Sequence, residues 1–135
     1  MYGAIYDWHT VEGASVRRHQ SKYYCFFSAG AWERESYGVS YVIADHPSGP
    51  YYRPAAANEP LLSSVPGSVI GPGHNSFTET PDGQEIMIYH AWDPSMTARL
   101  MRIDLLLWAN ERPLIQGPTW TPQSASWLNH NESTS

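Results

Sequence analysis

The hydrophobic and polar positions of this chain repeat mostly every two residues, which is the period of a β-strand rather than of a helix. Residues 22–28, 37–44 and 85–91 are short runs rich in aromatic and β-branched side chains. Each run is bounded by Gly, Pro, Asp or Ser, and Pro81-Asp82-Gly83 is a strong turn signal before the third of them. The pattern therefore predicts an all-β chain.

Residues 98–108 are ambiguous, because their Leu and Met content favours a helix. The hydrophobic residues at 101, 103, 105 and 107 nevertheless alternate with Arg102 and Asp104, as expected for a strand with one dry face. We therefore predict a strand here, with the odd-numbered residues on its buried face.

The predicted strands fall into two groups of four, about sixty residues apart. The first group comprises residues 15–18, 22–28, 37–44 and 51–53, and the second comprises 74–78, 85–91, 99–107 and 113–116. Two four-stranded antiparallel units at this spacing predict two blades of a β-propeller, over about residues 14–53 and 74–118. An Ala-, Pro- and Ser-rich linker at 55–69 joins them, and we expect residues 1–123 to form a single domain followed by a polar tail at 124–135.

The amino-acid composition limits the classes of partner that we expect this chain to bind. The chain has 135 residues with 41% hydrophobic content, enough for one globular domain with a real core. Its net charge is −5 and it has no basic stripe, so we expect neither nucleic acid nor an anionic membrane as a partner. The single cysteine, Cys25, has apolar neighbours and predicts a buried, inert thiol. No stretch reaches transmembrane length or resembles a signal peptide, which favours a cytoplasmic location unless a preceding segment is missing.

Aromatic residues make up 13% of the chain and include six Trp and nine Tyr. Such rings suit sugar faces and interfaces, because one side is apolar while the edge forms hydrogen bonds. Trp32 and Trp92 lie in loop-like segments, where they could stack on a sugar ring or pack in a core or subunit interface. We interpret Trp108 and Trp120 as structural.

Two short motifs place a chemically capable side chain beside small, Gly-rich backbone. They are Val11-Glu12-Gly13-Ala14-Ser15 and Gly71-Pro72-Gly73-His74-Asn75-Ser76. Glycine lets a backbone turn sharply or come close to a neighbour. Taken alone, Glu12 is typical of a surface carboxylate and His74 of a structural histidine.

Several further segments accompany these motifs along the chain. They are Lys22-Tyr23-Tyr24, Phe27-Ser28, Tyr37-Gly38-Val39, Gly49-Pro50-Tyr51, Tyr89-His90, Arg99-Leu100, Ile103-Asp104 and Gly117-Pro118-Thr119. Together with the motifs, and in the same order, they resemble glycoside hydrolase family 43 across about residues 7–123. The resemblance implies inverting five-bladed propeller enzymes, chiefly β-xylosidases, α-L-arabinofuranosidases and arabinanases, of which this chain covers roughly the last two blades.

The resemblance also implies roles for the motif residues. Glu12 matches the catalytic general acid of the family. His74 matches the channel histidine that meets a central cation, often calcium, commonly through water. Ala14 departs from the family pattern, which usually has Pro at this position, without removing the carboxylate.

Three further positions are candidates for contact with substrate. Arg99 matches an arginine near the substrate, although Arg102 is close enough to leave the alignment open. Either arginine could instead pair with Asp104 or Glu85 on a sheet face. His90 ends a predicted strand and could line the channel, and Trp32 could stack on the sugar.

The family uses three carboxylates, and its two aspartates precede the glutamate in sequence. Only eleven residues precede Glu12 here, and Asp7 among them matches neither motif. An inverting glycosidase needs a general acid and a general base on opposite faces of the sugar, about 6.5–9.5 Å apart. Two isolated blades would also expose apolar faces and strand edges. We therefore expect a homo-oligomer, most simply a dimer, in which a second copy supplies the missing carboxylate.

The sequence thus predicts a glycosidase that cleaves a terminal β-xylosyl or α-L-arabinofuranosyl bond in plant polysaccharide or oligosaccharide. Glu12 would be its general acid, and a cation such as calcium would lie near His74. The alternative is a non-catalytic carbohydrate-binding half-propeller that has lost the aspartates. A third interpretation is a truncated product whose one definite property is assembly.

Overall fold

A computed structural model describes residues 10–122 of the chain. Its strands are β1 (Thr10–His19), β2 (Lys22–Gly30), β3 (Gly38–Ala44), β4 (Ile70–Glu79), β5 (Glu85–Trp92), β6 (Arg99–Ala109) and β7 (Arg112–Ile115). A short 3-10 helix at Ala55–Asn58 lies between β3 and β4. Asp7 and the predicted tail at 124–135 lie outside the described residues. Within residues 10–122, no helix is long and apolar enough to cross a membrane.

The strands form two antiparallel sheets, with the orders β1-β2-β3 and β4-β5-β6-β7. Strands that follow one another along the chain are also neighbours in each sheet, because tight turns join them. Gln20 and Asn110 adopt positive φ in two of these turns, and Gly83 does so in the turn predicted at 81–83. The prediction of an all-β chain is confirmed.

The first sheet departs from the predicted four strands. Residues 51–53 contribute a single bridge, in which the backbone N–H and C=O of Tyr52 pair with those of Ile43 at 2.9 Å. Pro50 and Pro54 flank this bridge, and proline has no N–H to donate to a ladder. The prediction of a full strand here was therefore wrong.

Strand β6 confirms the choice of strand over helix for residues 98–108. The predicted buried face was wrong, however, because Met101 is 70% exposed and Leu107 is 46% exposed. Asp104 and Leu106 are buried instead. From Asp104 to Trp108 the even-numbered residues face inward, and hydrogen bonds to Asp104 inside the protein offset the cost of burying its charge.

The core lies between the two sheets. Its buried residues are Tyr24, Phe26, Val39 and Tyr41 from the first sheet, Met87, Tyr89 and Ala91 from the second, and Ala57, Leu62 and Val69 from the segment between them. The linker predicted at 55–69 is therefore packed into the core, and Leu62 pairs with Val39 at the edge of β3. Cys25 is only partly buried, and burial raises the pKa of its thiol.

A polar brace ties the two sheets together at one side of the core. The Arg17 guanidinium of β1 donates to Glu85 of β5 from Nη2 at 2.5 Å and from Nε at 3.0 Å. The indole N–H of Trp108 donates to the other Glu85 oxygen at 2.5 Å, and the His19 ring stacks on Trp108 at 3.8 Å. Both Glu85 oxygens thus link β5 to neighbouring strands, one of them in the other sheet.

A second polar cluster holds the segment that follows β7. Asp104 accepts hydrogen bonds from the Tyr89 hydroxyl at 2.5 Å and from the backbone and side chain of Thr119 at 3.1 and 2.5 Å. Gly117 passes so close that a Cβ there would lie 2.4 Å from Asp104 Oδ2. Burial, strengthened by the bond to Asp104, raises the pKa of Tyr89, so its hydroxyl remains a donor.

Candidate functional site

The two motifs, 62 residues apart in sequence, touch each other in the fold. The ladder between β1 and β2 is irregular between Glu12 and Ser15, and the ladder between β4 and β5 is irregular around Gly73. Gly13 has a φ of 66°, and a Cβ on it would lie 3.3 Å from the Cα and Cγ of His74. Glycine is needed at position 13 because of this φ and because His74 fills the adjacent space.

Glu12 is held by a buried tyrosine. The Tyr37 hydroxyl donates to Glu12 Oε1 at 2.8 Å, and Tyr37 is fully buried. Burial, with a further contribution from the bond to Glu12, raises the pKa of Tyr37 from its ordinary value near 10 to about 12. Tyr37 therefore remains protonated at neutral pH and donates to the carboxyl group.

The contacts behind Tyr37 connect it to the second motif. Ser28 Oγ accepts a hydrogen bond from the backbone N–H of His74 at 2.7 Å. The Ser28 hydroxyl also hydrogen-bonds Tyr37, which opposes the rise in the pKa of the phenol. Sequence reasoning did not select Ser28 or Tyr37 as site residues, although both lie in segments that carry the family resemblance.

Two of the predicted substrate-binding residues lie together beside Tyr37. The Arg99 guanidinium carbon is 5.4 Å from the centroid of the Trp32 ring and 5.6 Å from that of the Tyr37 ring. Both distances suit cation–π attraction. Trp32 also stacks on Trp92, with centroids 5.9 Å apart, and the Trp92 indole donates to the Trp32 carbonyl at 2.9 Å.

Arg99 does not pair with Asp104 or Glu85, the two acidic residues that the sequence offered as alternatives. Its Nε and Nη2 atoms are buried and have no hydrogen-bond partner, while Asp104 and Glu85 are bonded by the other residues described above. Arg102 lies elsewhere, with Nη1 donating to the Thr119 carbonyl at 3.5 Å. Of the two arginines, Arg99 is the one in contact with Trp32 and Tyr37.

An open cleft of about 500 Å³ adjoins Trp32. It is lined by Thr10, Ala31, Trp32, Glu33 and Arg34. This volume lies within the range of about 300–1,000 Å³ that is common for small-ligand sites. Trp32 is 39% exposed, so part of its ring is accessible to a ligand in this cleft.

The two histidines lie near each other on the second sheet. His90 of β5 pairs with Gly73 of β4, directly before His74, and both histidine side chains are exposed. No group of three His, Cys, Asp or Glu residues within positions 10–122 could hold a metal ion.

Comparison with known proteins identifies the family. The model for glycosyl hydrolases family 43 matches residues 3–113. The chain belongs to glycoside hydrolase family 43. It is 39% identical over 94 residues to the β-D-galactofuranosidase xynD of Aspergillus niger, an alignment that covers 69% of this chain and 26% of that enzyme.

Solved structures give the same result for the fold. A thermostable family-43 glycoside hydrolase superposes with a TM-score of 0.77 at 34% identity, over 84% of this chain and 38% of that one. An endo-1,4-β-xylanase from Bacteroides thetaiotaomicron superposes with a TM-score of 0.70 at 28% identity, over 84% and 40% of the two chains. The family fold is a five-bladed propeller, so the two sheets form part of such a propeller. The chain spans about a quarter to two fifths of the length of these relatives.

Proposed function

We propose that this chain carries the general-acid side of a family 43 glycosidase site, with Glu12 donating a proton to the leaving oxygen. The observation that supports this proposal most directly is the 2.8 Å hydrogen bond from the buried Tyr37 to Glu12. A general acid must be held in a fixed position relative to the scissile bond, and this bond restrains the carboxyl group. The cleft beside Trp32, whose ring lies against Arg99, supports a sugar as the ligand.

The proposed reaction is inverting hydrolysis of a terminal β-xylosyl or α-L-arabinofuranosyl bond in plant polysaccharide or oligosaccharide. The names of the relatives widen the substrates to be tested, because one acts on galactofuranosides and another is an endo-xylanase. Arabinofuranose and galactofuranose share a five-membered ring, so nitrophenyl α-L-arabinofuranoside and β-D-galactofuranoside are a natural pair for assay. Nitrophenyl β-D-xyloside completes the panel.

The inverting reaction needs a second carboxylate to activate water on the far face of the sugar. Glu12 cannot lie on both faces, so we propose that a second copy of the chain supplies the general base. Exposed apolar side chains on β6 and β7 support self-association: Met101, Leu107 and Leu114 are 37–70% exposed. A surface of this kind is typical of an interface.

Sedimentation velocity over a range of concentrations tests the assembly. We expect a dimer or larger oligomer that Met101→Glu dissociates, with hydrolysis lost in parallel. Val16→Glu is the matched control, because Val16 is 50% exposed on β1, in the other sheet. A monomeric wild type that hydrolyses the substrates would exclude a base supplied by a second copy.

The cation expected near His74 stays part of the proposal. His74 offers one imidazole and calcium prefers oxygen ligands, so we propose that His74 holds a water of the ion's shell rather than binding the ion directly. No step proposed for Glu12 depends on this cation. If it supports the site, chelation followed by calcium addition should lower and then restore activity.

The assignment of Glu12 is tested by comparing Glu12→Gln with Glu111→Gln. Loss of a general acid costs on the order of 10²–10⁴-fold in rate, so Glu12→Gln should lose at least a hundredfold on xylobiose or arabinobiose. Glu111 is an exposed acidic residue in the turn between β6 and β7, outside the cleft beside Trp32, and its variant should retain activity. Unchanged hydrolysis by Glu12→Gln would remove Glu12 from the mechanism.

The second candidate is a non-catalytic carbohydrate-binding half-propeller. The observation in its favour is the open cleft beside Trp32, whose partly exposed ring can contact a sugar. Calorimetric binding of xylo- or arabino-oligosaccharide without turnover would support it. Trp32→Ala should then abolish binding, whereas Trp120→Ala, at another exposed tryptophan, should not.

A further inference from the structure

We infer that Tyr37 is a positioning residue that reserves Oε2 of Glu12 as the oxygen carrying the catalytic proton. The inference rests on the proposed role of Glu12 as general acid. Its basis is the hydrogen bond from the Tyr37 hydroxyl to Oε1 at 2.8 Å. In a protonated carboxyl group the carbonyl oxygen is the better acceptor and the other oxygen bears the proton. A donor fixed on Oε1 therefore makes Oε1 the carbonyl oxygen and leaves the O–H on Oε2.

The hydrogen bonds behind Tyr37 have defined donors and acceptors. The backbone N–H of His74 can only donate, and it donates to Ser28 Oγ at 2.7 Å. The Ser28 hydrogen bond opposes the rise in the Tyr37 pKa, as a donor to the phenol oxygen does, so Ser28 donates to Tyr37. Tyr37 then has its proton left for Glu12. The donors run in one direction from the His74 backbone through Ser28 and Tyr37 to the carboxyl group.

The phenol is also held rigidly, as a positioning group must be. Tyr37 has no exposed surface. Gly73 lies directly against its ring, since a Cβ there would be 2.2 Å from Cε1, and Arg99 lies 5.6 Å from the ring centroid. The second motif thus acts on Glu12 through Tyr37, from backbone atoms rather than from the His74 imidazole.

A positioning role predicts a dependence on leaving group that a structural role does not. Tyr37→Phe should slow hydrolysis of xylobiose or arabinobiose, whose leaving oxygen must be protonated, by about 10–100-fold in kcat. Dinitrophenyl glycosides depart without protonation, so their kcat should change by less than about threefold. Tyr41→Phe, which removes the hydroxyl of another buried tyrosine, should affect neither substrate. Equal losses on both substrates with Tyr37→Phe would overturn the inference.

The double variant gives a second test. In the Glu12→Gln background, Tyr37→Phe should cause no further loss on the disaccharides, because the proton that it positions is gone. A further loss of the same size in that background would show that Tyr37 acts independently of Glu12, and would contradict the inference.

The pKa of Tyr37 can be measured without any enzymatic activity, so it tests this inference separately from the proposed function. In chain labelled with ¹³C at Cζ of tyrosine, the resonance missing from Tyr37→Phe identifies Tyr37, and its pKa should be about 12. Glu12→Gln removes the negative charge and should lower the pKa of Tyr37. An unchanged Tyr37 titration would refute the hydrogen bond and the inference with it. Absence of hydrolysis by the wild type, with the Tyr37 titration as expected, would refute the proposed function and the catalytic role while leaving the hydrogen bond in place.

Discussion

Gly73 lies so close to Tyr37 that a methyl group on its Cα would be 2.2 Å from Cε1 of the tyrosine ring. The same methyl group would be 2.9 Å from Ser28 Oγ. Glycine at this position is therefore what allows Tyr37 to reach Glu12 and Ser28 to accept the His74 N–H. Through this contact, the backbone of Gly73 in the second motif restricts the position of Tyr37, and Tyr37 in turn holds the Glu12 carboxyl group of the first motif.

Gly73→Ala should destabilise the protein and displace Tyr37. Overpacking a tight site of this kind costs about 1–3 kcal/mol in the free energy of unfolding. Urea unfolding measures this cost, and a downward shift in the Tyr37 pKa reports loss of the bond to Glu12. Gly83→Ala is a useful control, because Gly83 has a φ of 85° but a methyl group there would meet no atom within 4 Å, so this variant reports backbone strain alone. A Gly73→Ala protein as stable as wild type would contradict the close contact.

Tyr37 should make the protein sensitive to alkaline pH. Its pKa is raised in the folded state to about 12 from about 10, so its contribution to stability is fully present below pH 10 and is lost as pH rises through 12. The shift corresponds to about 2–3 kcal/mol. Unfolding free energies measured between pH 9 and pH 12 should fall less steeply for Tyr37→Phe than for wild type. The other buried tyrosines are present in both proteins and contribute equally to the two pH profiles. Parallel profiles would therefore contradict the predicted shift in the pKa of Tyr37.

Glu85 should matter more for stability than its neighbour Glu79, although both contact Arg17. Glu85→Ala removes the acceptor for both Arg17 and Trp108, so we expect a loss of about 1–3 kcal/mol. Glu79 meets Arg17 at 3.4 Å with its side chain 62% exposed, and Glu79→Ala should cost less than about 0.5 kcal/mol. Denaturant unfolding of the two variants side by side provides the measurement. Equal effects would mean that the Glu85 contacts do not brace the two sheets.

Tyr89→Phe should weaken the attachment of the segment after β7. The change removes one of the donors to the buried Asp104, at a cost of about 1–3 kcal/mol. Amide hydrogen exchange at Thr119 should rise with the loss of stability, because its N–H bonds the same carboxylate. Tyr52→Phe, at a tyrosine that is 50% exposed, should stay within about 0.5 kcal/mol of wild type. Unchanged exchange at Thr119 in Tyr89→Phe would show that Tyr89 does not support the cluster.

The alternation of hydrophobic residues located most of the strands, because it depends only on neighbouring residues along one strand. The same alternation assigned the wrong face of β6 to the core. The misleading signal was Asp104, a charged residue that is buried because Tyr89 and Thr119 supply its hydrogen bonds. These donors lie 15 residues away on either side, so no local pattern could identify them.

The candidate site was also predicted only in part from the sequence. The Gly-rich motifs marked Glu12 and His74 as unusual positions, because glycine signals close approach of a backbone to another atom. They did not indicate which atom, and Ser28 and Tyr37 had the pattern of ordinary strand residues. Arg99 and Trp32 were candidates by resemblance, and the structure places them against each other and against Tyr37.

The sequence by itself determined the all-β class, the turns and the family, since these follow from local alternation, turn chemistry and an ordered set of short motifs. Only the tertiary structure decided which face of β6 is buried, that residues 55–69 complete the core, and that Tyr37 donates to Glu12. These features depend on atoms from strands that are far apart in sequence. Their contacts, and the hydrogen bonds that offset the cost of burying polar groups, exist only once the two sheets have packed together.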